Sequence, residues 1–109
     1  MACFIVQEPG QPDRVFPLQK KETIIGRGEG VDLSLPHITV SRENAKVQNL
    51  EGTYFITNIT DQDNMLINEA QRKRWELKTK DSVQIGKFTM IFFGNDLTPM
   101  EQFFNGKHV

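Results

Sequence analysis

The stretch that decides the fold runs from Ile24 to Val47. It reads Ile24-Ile25-Gly26-Arg27, a glycine-broken loop through Gly30, Val31-Asp32-Leu33-Ser34-Leu35, Pro36-His37-Ile38-Thr39, and Val40-Ser41-Arg42-Glu43-Asn44-Ala45-Lys46-Val47. Apolar and polar residues alternate over 31–35, the period-two signature of a strand with one buried face. Two short apolar runs therefore deliver two polar loops, one carrying Arg27 and the other Ser41 and Arg42. A planar guanidinium meets two phosphate oxygens at once. A hydroxyl and loop N–H groups add neutral donors. Raised on rigid strands, this set of groups suits the recognition of a phosphate ester.

The spacing resembles that of the forkhead-associated (FHA) family, whose members bind phosphothreonine peptides. The family pattern is Gly-Arg, then Asp with alternating apolar residues, then Ser-Arg-x-His-Ala-x-apolar. Gly26, Arg27, Asp32, Leu33, Leu35, Val40, Ser41, Arg42, Ala45 and Val47 fall in it without gaps, and Asn44 stands where the family usually has histidine. The likeness continues more weakly to about Phe93. It implies that Arg27 and Ser41 hold a phosphothreonine, with Arg42 assisting, and that Gly26, Asn44 and Asn68 support the binding loops. Asparagine keeps a donor and an acceptor but is shorter than histidine. Further on, anchoring on Ile67-Asn68 puts Asp63 at the place of the family's peptide-binding asparagine, Asn64 on a glycine, Met65 on a threonine and Glu69 on the last glycine. An anionic Asp63 would repel phosphate, and a slip of one residue gives the peptide contact to Asn64. Lys80 replaces a glycine before Asp81, a change that costs little if the backbone angles there are permissive.

At 109 residues the chain has room for one domain with a core of its own. A net charge of −1 supplies no basic field for nucleic acid. Arg72-Lys73-Arg74, near Lys78 and Lys80, reads as a solvated turn. One cysteine, Cys3, leaves no internal disulfide and fits a reducing compartment; it sits in an apolar run and reads as a small hydrophobe. No stretch is long and apolar enough for a membrane span, and no secretion signal is evident. The expectation is a cytoplasmic, intracellular protein or a fragment of one.

In chain order, residues 2–7, 14–18, 23–26, 31–35, 45–50, 53–59, 65–67, 74–77, 82–86 and 87–93 read as strands, separated by turn-rich segments. Pro17 marks an edge or a bulge. Glu51-Gly52 reads as a hairpin turn. Trp75 reads as half-buried. Phe88, Met90 and Phe92 alternate with Thr89, Ile91 and Phe93 across two faces. The count of ten to eleven short strands predicts an all-β sandwich over residues 1–94. Thr98-Pro99-Met100-Glu101 matches a capping box and predicts a short helix through Phe104, within a tail or linker at 95–109.

Other chemistries find little support. Gly26, Gly28 and Gly30 meet neither the Walker spacing nor the dinucleotide fingerprint, so the loop reads as a tight turn behind Arg27. Ser41 has no histidine base with an orienting carboxylate. His37 and His108 suggest no metal site, and no cofactor is called for. Asn58-Ile59-Thr60 matches a glycosylation acceptor by chance. The reading is a non-enzymatic phosphothreonine-binding module of Ser/Thr kinase signalling, with its oligomeric state open. The substitutions at Asn44, Asp63 and Glu69 keep open an alternative, in which the scaffold serves phosphate-independent protein contact or self-association.

Overall fold

In a computed structural model, residues 2–94 are described; the residues of the expected helix at 98–104 and of the tail at 95–109 lie outside them. Eleven strands follow one another: β1 (Cys3–Gln7), β2 (Arg14–Pro17), β3 (Glu22–Gly26), β4 (Leu33–Ser34), β5 (Ala45–Leu50), β6 (Thr53–Asn58), β7 (Met65–Ile67), β8 (Ala70–Gln71), β9 (Arg74–Glu76), β10 (Ser82–Ile85) and β11 (Phe88–Phe93). They form two sheets, in the orders β2-β1-β11-β10-β7-β8 and β4-β3-β5-β6-β9. The protein is an all-β sandwich, as expected. Pro17 lies on an edge strand, where its missing N–H is harmless.

Alternation along each strand builds the core. Phe4 and Val6 of β1, Val47 of β5, Ile56 of β6, Val83 and Ile85 of β10 and Phe88 and Met90 of β11 are fully or almost fully buried between the sheets. The opposite face of β1 and β11 carries a smaller cluster of Cys3, Ile5 and Phe93. The expected two-faced pattern of the last strand is thus present. Leu33 and Leu35 are both buried, as their alternation demands, but only Leu33–Ser34 pair with β3, in parallel register. The segment keeps strand periodicity with little ladder.

Two departures are informative. β8 has no counterpart in the sequence reading, because Ala70 and Gln71 have little β-propensity and pair only through the turn before them. That turn, Asn68-Glu69, has φ of 50° and 70°. Positive φ at both central residues marks a primed hairpin turn, in which Asn-Gly is favoured. Lys80 has φ of 77°, so its backbone angles are not permissive: it stands in the left-handed region where the family glycine is at ease.

Candidate functional site

The site begins with a close approach of two backbones. A Cβ on Gly26, the last residue of β3, would lie 2.0 Å from the carbonyl oxygen of Arg42 and 2.9 Å from that of Ser41. Only glycine lets the 41–42 segment come in so near. The segment is then stitched to the end of β3: Arg27 N–H donates to Ser41 O and Gly28 N–H to Arg42 O, both at 3.0 Å. The turning role expected of these glycines belongs to Gly30, with φ of 80°; Gly26 and Gly28 are there for proximity.

Side chains fix the rest of the constellation. The Arg27 Nε donates to Val40 O at 2.7 Å. This orients the guanidinium and leaves both terminal nitrogens, among the described residues, without a hydrogen bond. Asn44 is wholly buried. Its Oδ1 accepts from Ser41 N–H at 2.8 Å and from Asn64 Nδ2 at 2.8 Å, while its Nδ2 donates to Asn64 Oδ1 at 3.1 Å. A reciprocal amide pair therefore ties the Ser41 loop to the loop before β7. Asparagine does this because one amide supplies both a donor and an acceptor.

Arg27, Ser41 and Asn64 line one open groove, with Ile38, Thr39 and Gln62. Arg42 opens onto an adjoining recess that Arg27 shares, beside Glu29 and Glu43. Arg27, Ser41 and Arg42 thus line two recesses that meet at Arg27. Asn64 is in the groove wall, but its amide is not free as expected; it is engaged with Asn44. Gln62 occupies the same wall and escaped the sequence reading. Its backbone is pinned there: its carbonyl accepts from Asn58 Nδ2 at 2.7 Å, and its N–H donates to Thr60 Oγ1 at 3.1 Å. Asn58 is buried and committed to this loop. A pair of Asx and Thr residues spaced by two in a polar loop was the available signal.

Asn68 is not with the others. Its Nδ2 donates to Asp81 Oδ1 and its Oδ1 accepts from Ser82 N–H, both at 2.9 Å. β7 and β10 are antiparallel with Met65 opposite Ile85, so Asn68 lies past the end of β7 remote from Asn64. It holds the 78–82 turn, not the binding loops. Asp32 lines neither recess: its Oδ2 accepts from Ile24 N–H at 2.8 Å and its Oδ1 from Lys20 Nζ at 2.6 Å. These two hydrogen bonds, the backbone one foremost, hold its carboxyl below the usual carboxylate value of 3.8. Among the described residues no group of three or more His, Cys, Asp or Glu is placed to hold a metal.

The FHA domain family model matches residues 23–86, more than half of the chain, and spans both walls of the groove. This chain belongs to the FHA domain family. The oxoglutarate dehydrogenase inhibitor of Corynebacterium efficiens is 30% identical to this FHA chain over 91 residues, covering 84% of it and 64% of the relative. The glycogen accumulation regulator GarA of Mycolicibacterium smegmatis is 28% identical over 91 residues, covering 84% and 58%. The FHA chain spans less than two thirds of the length of these relatives. An FHA structure solved in a study of phosphothreonine-dependent FHA domain interactions superimposes with a TM-score of 0.76 at 22% identity, covering 87% of this chain and 99% of that one. That last likeness is one of fold. The basic cluster of the FHA chain is committed to its own surface: Arg72 lies over Trp75 at 4.8 Å, Arg74 over Phe55 at 4.3 Å, and Lys73 Nζ donates to Thr60 O at 2.6 Å. No described helix is long and apolar enough to cross a membrane.

Proposed function

We propose that this FHA domain is a phosphothreonine-recognising interaction module that acts by binding, without catalysis, in the cytoplasm and in Ser/Thr kinase signalling. The observation that carries the reading is the anchored Arg27: its Nε is held on Val40 O while Ser41 lines the same groove. A phosphothreonine carries a charge of roughly −2 at neutral pH and three acceptor oxygens. Arg27 would take two of these oxygens through its free terminal nitrogens, and the Ser41 hydroxyl a third. Arg42, exposed at the rim, would add charge. Each charge-assisted hydrogen bond contributes on the order of 1.5–3 kcal/mol. Asn64 keeps one amide hydrogen beyond its pairing with Asn44 and can still meet the peptide main chain. The reciprocal amide pair supports the loop without the family histidine.

The names of the relatives, an enzyme inhibitor and a regulator, support a regulatory role exercised through another protein. The test is a titration with a phosphothreonine peptide library and its unphosphorylated counterpart. Wild type should bind only the phosphorylated set, more weakly as salt rises. Arg27→Ala should lose that binding; equal binding by the variant would remove Arg27 from the mechanism.

A further inference from the structure

Arg27 stands between two recesses of different character. From this we infer that the partner segment carries a basic residue on one side of its phosphothreonine and an apolar residue on the other. This rests on the phosphopeptide reading above and adds the chemistry of the flanks.

The first recess holds Arg27, Arg42, Glu29 and Glu43. Both carboxylates are exposed, and among the described residues neither is in an ion pair. Without ligand the recess is neutral, two guanidiniums against two carboxylates. A phosphate dianion that draws Arg27 and Arg42 leaves Glu29 and Glu43 uncompensated beside it. A lysine or arginine in the partner restores the balance, and an acidic residue there is repelled by both. At an exposed rim each such pair changes affinity by about two- to fivefold.

The groove on the other side has no charged wall residue besides Arg27. Its outstanding feature is Ile38, 79% exposed. A single exposed isoleucine is ordinary on a protein surface. This one sits in the groove wall two residues from Val40, whose carbonyl anchors Arg27, on a loop already fixed. His37 N–H donates to Leu35 O and Val40 N–H to His37 O, both at 2.9 Å. His37 Nδ1 lies 2.8 Å from Thr39 Oγ1. The loop has little backbone freedom left to lose on binding, so apolar area buried against Ile38 goes largely into affinity. Covering about half of that side chain changes affinity on the order of tenfold.

The experiment is selection from a phosphothreonine peptide library, degenerate on both sides, by the 109-residue chain and two variants. Wild type should enrich Lys or Arg on one side and Ile, Leu or Val on the other. Glu29→Lys with Glu43→Lys should abolish or reverse the basic preference and leave the apolar one. Ile38→Ser should do the opposite. Phosphothreonine-dependent binding without side preference, or preferences unchanged in the variants, overturns the inference and leaves the phosphopeptide reading standing. No enrichment of phosphorylated over unphosphorylated peptides overturns both.

Discussion

Asn44 and Asn64 face one another through a two-way amide pair, Nδ2 of each on Oδ1 of the other, at 3.1 and 2.8 Å. With Ser41 N–H on the same Asn44 oxygen, three hydrogen bonds converge on one buried side chain. Asn44→Ala leaves the part-buried Ser41 N–H and Asn64 amide without their partner and opens a gap where a wholly buried side chain stood. It should cost about 2–4 kcal/mol in urea denaturation. Asn64→Ala, less buried, should cost about 1 kcal/mol. The double variant should cost less than the sum, because the two side chains share their bonds.

Gly26 is the narrowest point of the site. Gly26→Ala drives a Cβ into the Arg42 carbonyl, and the loop must leave its place. The expected outcome is loss of about 3 kcal/mol or more, with loss of phosphopeptide binding in any folded fraction. Gly10→Ala is the control. Nothing lies within 4 Å of a Cβ there, and only the φ of 80° is at odds with alanine. It should cost about 1 kcal/mol and leave binding intact.

Arg27→Lys separates charge from geometry. A lysine ammonium cannot bond Val40 O and embrace two phosphate oxygens at once, as the forked guanidinium can. Phosphopeptide affinity should fall at least about tenfold while stability shifts by about 1 kcal/mol at most. Calorimetric titration beside thermal melts would check both; unchanged affinity would mean that charge alone suffices.

Glu69 and Lys80 hold left-handed backbone at φ of 70° and 77°. Replacing either by glycine relieves that strain but frees the unfolded chain. The balance should be a gain of about 0.5–1 kcal/mol for each. The gain should be clearer for Glu69→Gly, which completes the preferred Asn-Gly of a primed turn. Denaturant midpoints would show it, with unchanged slopes.

Asp32 gives the acid limb of stability a direction. Its carboxyl is held below 3.8 in the folded chain, by the Ile24 N–H first and Lys20 second. Folding therefore favours the ionised form. The contribution is complete above the ordinary carboxylate value and is lost as pH falls through the lowered folded one. Asp32→Ala should lose about 1–2 kcal/mol at neutral pH, and its stability should decline less steeply than wild type below pH of about 4. Urea denaturation across that range would decide it.

Cys3 is buried, and burial pushes its thiol up to about 11. Thiol reagents should react with it slowly at neutral pH and rapidly once denaturant opens the sandwich, since the thiolate is the nucleophile. Fast labelling of the native chain would mean that β1 opens locally.

The amino-acid sequence determined the strand periodicity and most of the turn positions, because those depend on residues near one another in the chain, and it supplied Arg27, Ser41 and Arg42 as candidate binding side chains. Alternation at 31–35 foretold which leucines are buried, and Glu51-Gly52 foretold a hairpin. Tertiary structure alone decided which residues meet. Gly26 needs no special backbone angle; its reason is a carbonyl that arrives from 16 residues further on. Asn44 and Asn64 find each other across 20 residues, and Asn68, so near Asn64 in sequence, is carried away along β7 to the 78–82 turn. Periodicity is a property of one strand, whereas proximity is set by how the strands are laid against each other.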